Sequence, residues 1–230
     1  MPSMIPPRRD YWNAEGYVTY RRLWLDSALE AFSHEMHGVV VDIGGKRENK
    51  RGGFQPPEDR AKSWWFVNLD MSTKPNVCGD VQQLPLRGKS VDCVICTEVL
   101  EHLPHPERCV NEIHRLLRDG GLVLASIPFL YPVHADPYDY QRFTEDGLQE
   151  LFSEFKSVEV YRMGGYAGTL GLLLEIGLAG LAGASLRQKI LRWSMKWVSR
   201  WLCRYDLSVF GRENESWGKF TTGYFVRAIR

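Results

Sequence analysis

Apolar runs and polar breaks alternate along the chain in a way that predicts helices interleaved with short strands. Residues 16–36 place Val18, Leu25, Leu29 and Phe32 at roughly helical spacing, which predicts an amphipathic helix stopped by Gly38. VVVDI (39–43) then opens a buried strand, and the polar stretch 46–62, with Gly52-Gly53 and Pro56-Pro57, reads as a loop. A second strand runs from Trp64 to Leu69 and ends at Asp70. A short third strand around Val77 ends near Asp80, and VDCVIC (91–96) forms a fourth. PERCVNEIHRLL (106–117) is a helix pattern closed by Asp119-Gly120-Gly121. LVLASI (122–127) is a fifth strand broken by Pro128. Thr144 caps a helix reaching Phe155, and VEVYRM (158–163) and YFVRAI (224–229) supply the last two strands. Short apolar strands alternating with helices imply an α/β fold, doubly wound, with a mostly parallel sheet covered on both faces.

Composition narrows the class. With 230 residues, 44% hydrophobic, and eight Trp, ten Tyr and ten Phe, the chain can bury a sizeable core and is not a disordered one. Cys93 and Cys96 lie inside an apolar strand with no second pair to complete a zinc set, so they read as core thiols. No metal site is expected. The opening MPSMIPPRRD lacks an apolar signal core, and a reducing, cytoplasmic compartment fits. The net charge of +1 conceals a division: residues 187–230 hold ten basic and three acidic residues, so the preceding part is acidic.

In a doubly wound sheet, ligands bind beyond the carboxyl ends of the strands, so the polar residues there carry the chemistry. The first strand runs into Asp42-Ile43-Gly44-Gly45-Lys46, and the G-x-G-x-x-G turn of dinucleotide sites is absent. That disfavours a nicotinamide-dependent oxidoreductase. An acid before two glycines repels a diphosphate and suits an ammonium, while the glycines permit close backbone approach. Asp70, about 28 residues later, is placed to accept both hydroxyls of a ribose, and Asp80 to meet an adenine edge. The alternative is that each acid merely caps the turn that follows it.

DIGG (42–45), NLDM (68–71), GDVQQLPL (79–86) and the stretch 91–129 resemble class I S-adenosylmethionine-dependent methyltransferases of the methyltransferase-11 type. The resemblance implies a seven-stranded, Rossmann-like sheet whose last strand is antiparallel. It further implies that Asp42, Gly44 and Gly45 lie against the methionyl part of S-adenosylmethionine. Asp70 with Met71 would lie at the ribose, Asp80 with Val81 at the adenine, and Thr97 with Glu98 beside the sulfonium. One departure is Lys46, where the family has a third glycine, followed by a loop where it has a helix. The layout read from this is an N-terminal helical cap (1–37), a cofactor-binding core (38–166), a helical insert (167–215) and a closing strand (216–230).

Two segments should face the acceptor. One is TEVLEHLPH (97–105), with Glu101 and His102. The other is residues 131–144, which hold one His, two Asp, one Arg and four aromatics. The second resembles a loop of bacterial methyltransferases that modify polysaccharides and sugars. His134 is the preferred base, since an imidazole titrates near working pH, with His102 the alternative and Asp139 or Asp136 orienting the ring. Tyr131, Asp136, Tyr138 and Arg142 are candidate acceptor contacts, although Asp139 and Arg142 suit a structural ion pair equally well. The expected activity is methylation of an oxygen on a small-molecule, sugar or lipid-linked glycan acceptor. N- or C-methylation, or cofactor binding without catalysis, are the alternatives.

Residues 167–186 are apolar and Gly-rich with Glu175 inside, which suits a packed lid better than a membrane span. In residues 187–204, Arg192, Lys196, Arg200 and Arg204 recur every fourth position, as do Trp193, Trp197 and Trp201, with no acid between. That pattern fits an interfacial helix on an anionic membrane or a Trp face packed on the core. Nucleic-acid binding is the least favoured reading, because no stacking-and-basic pattern supports it elsewhere.

Overall fold

In a computed structural model of the chain, the residues described are 19–47, 52–134, 137–179, 186–206 and 215–230. Val18 of the expected first helix, and Asp136 of the expected acceptor loop, lie outside them. The strands are β1 (Gly38–Ile43), β2 (Ala61–Asn68), β3 (Val77–Cys78), β4 (Val91–Thr97), β5 (Leu117–Pro128), β6 (Ser157–Arg162) and β7 (Gly223–Ile229). They form a seven-stranded sheet in the order β3-β2-β1-β4-β5-β7-β6. β1 to β5 pair in parallel, and β7 runs antiparallel to both β5 and β6, as expected. The helices are α1 (Tyr20–Ala31), α2 (Pro106–Leu116), α3 (Glu145–Leu151), α4 (Tyr166–Ala179), α5 (Leu186–Asp206) and the single turn α6 (Glu215–Gly218).

Strand side chains alternate between two apolar layers, which is why the central strands read as unbroken apolar runs. Val94, Cys96, Val123, Ala125 and Ile127 face one layer, with Ile113 and Leu116 of α2 and Leu148 of α3. Cys93, Ile95, Leu122 and Leu124 face the other, against Trp24, Leu25 and Leu29 of α1 and Leu172 of α4. Cys93 and Cys96 are buried free thiols within these layers.

Several bounds differ from the sequence reading: α1 ends at Ala31 and α3 at Leu151, short of the expected Met36 and Phe155. α2 ends at Leu116, and Leu117 is already extended (φ −64, ψ 144). Asp119-Gly120-Gly121 therefore does not close the helix but lies within β5. There the register jumps from Val91↔Leu117 to Cys93↔Leu122 and Gly120 takes φ +82, so the extra residues bulge out of the ladder. β2 begins at Ala61, three residues before the expected Trp64. Thr144 does cap its helix, accepting from the Gly147 amide at 3.2 Å.

The insert is tied to the core through one buried carboxylate. Asp206, at the end of α5, accepts from the amides of Gly165, Ala167 and Gly168 at 2.9, 3.1 and 2.7 Å. It thereby caps the start of α4, where the amides are otherwise unpaired and a negative charge is favoured. The same carboxylate accepts from the Tyr20 hydroxyl at 2.9 Å, joining α1. Gly171 lets the two helices close together, since a Cβ there would stand 3.0 Å from the Ser199 carbonyl. The Trp face of α5 does not pack on the core: Trp193, Trp197 and Trp201 are 64%, 55% and 64% exposed. Among the described residues no helix is long and apolar enough to cross a membrane.

Asp206→Ala strips four donors of their acceptor and is expected to lower stability by roughly 2–4 kcal/mol. Denaturant unfolding measures this, and limited proteolysis should then cut first within 166–206.

Candidate active site

Because β3, β2, β1 and β4 lie side by side and parallel, their carboxyl ends share one edge of the sheet. Along that edge lie Asp80, Asp70, Asp42 and Glu98, in this order. The turn after β1 is built by close approach. Gly44 takes φ +76, and a Cβ on it would stand 2.6 Å from Val99 Cγ2. A Cβ on Gly45 would stand 2.4 Å from Asp42 Cγ, so only glycine leaves room for that carboxylate. Asn68, at the end of β2, donates its side-chain amide to the Gly44 and Gly45 carbonyls at 3.2 and 3.3 Å. It also accepts from the Asp70 amide at 3.0 Å. The sequence reading passed over Asn68, although it stands inside the NLDM motif.

Asp70 is exposed and accepts from the Ser72 amide at 2.9 Å. Its hydrogen bonds to Ser72, and then the nearby Lys46, hold its carboxyl below the usual range. Asp80 accepts from the Gln82 amide at 2.9 Å. Both acids thus cap the turns that follow them, a task that occupies only part of a carboxylate's acceptor capacity. Met71 is exposed and Val81 is buried beside them. Thr97 closes β4 next to Ser126 of β5.

Glu98 sits at φ +56, in the left-handed region that a residue with a long side chain seldom adopts. Its carboxylate is gripped from two sides, by Arg21 of α1 (Nη2 at 2.6 Å, with a second contact from Nη1) and by the Ser126 hydroxyl at 2.6 Å. Arg21 is buried, and burial lowers its pKa to about 10. Its guanidinium also stands over the Tyr131 ring, 5.4 Å from the centroid. Nothing in the sequence marked Arg21, which lies 77 residues from its partner.

On the acceptor side the fold gathers Glu101, His102 and His134. The His102 and His134 rings meet edge to face at 5.2 Å, and Tyr131 packs the same way on His134 at 5.2 Å. Glu101 is fully buried, neither of its oxygens takes a hydrogen bond from another residue, and burial raises its pKa. Burial also holds the His134 imidazole below its ordinary value, so the ring is neutral at working pH. The loop is fastened around this cluster. Asp139 accepts from the His134 amide at 2.9 Å, and its Oδ2 lies 3.4 Å from the ring Nδ1. Arg142 grips Asp139 with both terminal nitrogens, the Nη2 bond being 2.7 Å. Its remaining bonds go to the Gln141 and Pro132 carbonyls. Arg142 therefore holds the loop, the structural alternative left open by the sequence. Tyr138 is 61% exposed at the rim, and its carbonyl accepts from His102.

The grip on Asp139 depresses its pKa, chiefly through the hydrogen bonds from Arg142. A depressed carboxylate contributes stability that is present above its unfolded value, about 3.9, and is lost as pH falls through the lower folded value. Asp139→Asn is expected to cost about 2 kcal/mol at pH 7, between exposed and buried pairs. Denaturant unfolding from pH 7 to pH 3 should show the gap from wild type narrowing only at the acid end.

Residues 63–125 match the family model of a methyltransferase domain. A relative in Mycolicibacterium smegmatis, described as a probable S-adenosylmethionine-dependent methyltransferase, is 44% identical over 148 residues, covering 56% of this chain and 53% of its own. A ubiquinone biosynthesis O-methyltransferase of Nitrosomonas europaea is 31% identical over 101 residues, 41% of each chain. The chain spans between 34% and 65% of the length of the first curated relatives it matches. The structure of a SAM-dependent methyltransferase from Archaeoglobus fulgidus superposes with TM-score 0.55 at 14% identity, over 91% of this chain and 94% of the other. The glycine cradle at Asp42 and the acids on the carboxyl edge fit the same cofactor. The chain thus carries a match to a methyltransferase domain at residues 63–125, within a seven-stranded fold that superposes on that of a SAM-dependent methyltransferase.

Proposed function

We propose that this protein is an O-methyltransferase acting on a hydroxyl of a small-molecule, sugar or lipid-linked glycan acceptor. The observation that carries the reading is the Glu101–His102–His134 cluster, beside the end of β4 and roofed by Tyr131. S-adenosylmethionine, when bound, supplies a methyl group already activated on a sulfonium, so the chain's own residues bind, align and move a proton. Asp42 faces the ammonium of the methionyl part, and Gly44 and Gly45 let the backbone come close. Asp70, with Met71 beside it, accepts the ribose hydroxyls, and Asp80 with Val81 borders the adenine. Thr97 and Glu98 flank the methionyl group, with Glu98 fixed by Arg21.

A hydroxyl acceptor must lose its proton as the new bond forms. The cluster around His134 takes it: the ring is neutral, half-buried and steadied by Asp139. Tyr131 and Tyr138 border the acceptor, and Arg142 holds their loop through Asp139. The likeness to a ubiquinone O-methyltransferase supports transfer to oxygen.

The experiment is calorimetry with S-adenosylhomocysteine paired with turnover. Asp70→Ala is expected to weaken binding roughly 10- to 100-fold. His134→Ala should leave that affinity intact while slowing turnover about 100- to 10,000-fold. Full activity in His134→Ala with a hydroxyl acceptor would remove His134 as the base, and failure of the wild-type protein to methylate any hydroxyl acceptor would sink the O-methylation reading.

The acceptor side is also proposed to sit on an anionic membrane, inside the cytoplasm. An aromatic surface supports this: Trp193 packs on Trp197, Trp201 on Tyr205, and Tyr205 on Trp217, which continues to Tyr166. Arg200 and Arg204 are exposed on the same helix. Aromatic rings at the headgroup boundary with cations beside them are the marks of an interfacial helix. Flotation with anionic vesicles at low salt is the expected outcome, weakened by high salt and lost with neutral lipid. Equal failure in every condition would remove the membrane from the picture.

A further inference from the structure

We propose that Glu101, His102 and His134 form a binding site for a divalent first-row metal ion on the acceptor side of the carboxyl edge. Among the described residues, these three each offer a ligand atom, and the atoms lie within 4.8 Å of one another. Glu101 Oε1 stands 3.8 Å from His102 Nε2 and 3.9 Å from His134 Nε2. The Glu101 carboxylate is fully buried without a hydrogen-bond donor from any other described residue, a costly arrangement for a fold to keep.

The ring orientations sharpen the point. His102 Nδ1 lies 2.6 Å from the Tyr138 carbonyl, an acceptor, which assigns the proton to that nitrogen. His134 Nδ1 lies 3.3 Å from the Pro132 carbonyl and 3.4 Å from Asp139 Oδ2, again acceptors, so its proton is assigned likewise. Both Nε2 lone pairs then turn toward Glu101. Three acceptors meet with no donor among them, and a single cation satisfies all three. An Nδ1–H held by a carbonyl or carboxylate is also how proteins orient histidines that ligate metals.

Charge points the same way. Arg21 and Arg142 both face Glu101, but Arg21 is tied to Glu98 and Arg142 to Asp139. Each of those pairs is neutral, so neither arginine is free to serve as the partner of Glu101. Two imidazoles and one carboxylate suit zinc and its first-row neighbours, and three protein ligands leave positions open. At metal–ligand distances of about 2.0–2.1 Å, tetrahedral ligand atoms stand about 3.4 Å apart, so Glu101 Oε1 and each Nε2 close by about half an ångström on binding. His134 comes from an exposed loop, beside Val133 at 83% exposure, and is the ligand with room to move.

The catalytic meaning of the site rests on the O-methylation reading, although the binding does not. An acceptor hydroxyl seated in an open position would lose its proton more readily. The proton passes to water and the methyl group takes its place on oxygen. The ion then does what the imidazole alone would otherwise do, and His134 acts as a ligand.

The probe is Co²⁺, titrated into chelator-treated protein carrying Cys78→Ser, because Cys78 is an exposed thiol that could compete. One equivalent is expected to bind, with the visible absorption of a nitrogen and oxygen site. His102→Ala and His134→Ala should each weaken it more than about 100-fold, beyond the loss seen when only an outer partner is removed. Glu101→Gln keeps the shape, should weaken binding likewise, and serves if an alanine variant does not fold. Absence of Co²⁺ binding by folded protein, or unchanged binding in His102→Ala and Glu101→Gln, would overturn the site. S-adenosylhomocysteine calorimetry on the same samples separates the two ideas. Cofactor binding without Co²⁺ binding removes the metal alone, and Co²⁺ binding without cofactor binding removes the methyltransferase reading alone.

Discussion

The ion pair between Arg21 and Glu98 is the constraint on which the functional edge depends. Glu98 stands where β4 leaves the sheet, in a backbone conformation that costs free energy and persists only when its surroundings over-determine it. Arg21 and Ser126 provide that over-determination from α1 and β5. The relation also runs in reverse. A guanidinium this deeply buried needs a carboxylate, and its lowered pKa reports the cost of burial even with one in place. Neither group would be tolerated at its position without the other, so helix, strand end and cofactor edge are fixed as one unit.

From that unit the acceptor side follows. Three residues beyond Glu98, the chain turns and delivers Glu101 and His102 into the space beneath the loop of residues 131–144. The loop closes by its own ion pair, Asp139 with Arg142, and hangs on the turn through the Tyr140 amide, which donates to the Glu101 carbonyl at 2.9 Å. Gln141 adds a bond to the Leu103 carbonyl at 2.8 Å. His134 is thus brought to Glu101 by main-chain bonds and an ion pair that are independent of the imidazole itself. Such support keeps a reacting group in place while leaving its titrating nitrogen available.

Much of this was legible in the sequence, and the reasons differ by residue. The sheet order was accessible through the resemblance, and the apolar runs of β4 and β5 through two-sided burial. Asp42, Asp70 and Asp80 could be placed because strand ends are local features: an apolar run, then an acid. Asp119-Gly120-Gly121 misled because a glycine pair after a helix pattern ordinarily ends the helix, whereas here it makes the bulge by which β5 begins a turn early. Arg21 and Asp206 were not legible at all. Nothing local sets either apart from the charged residues beside it, Arg22 and Arg204, and its partner lies 77 or 186 residues away. The meeting of Glu101 with two histidines was equally hidden, since no local spacing relates residues 101 and 134.

Contiguity between the insert and the catalytic edge is the remaining consequence of these buried charges. Tyr20 and Arg21 are neighbours on α1: one bonds Asp206 at the end of α5, the other bonds Glu98 at the end of β4. The end of α5 is therefore linked to the edge of the sheet through two side-chain contacts made by consecutive residues of α1. A surface helix attached through a flexible hinge would settle on a membrane without orienting the rest of the molecule. Here Asp206 makes four bonds, three to the start of α4 and one to α1, and none of them survives a rigid-body swing of α5. Whatever the exposed face of Trp193, Trp197 and Trp201 meets, it therefore meets at a fixed angle to the carboxyl edge of the sheet.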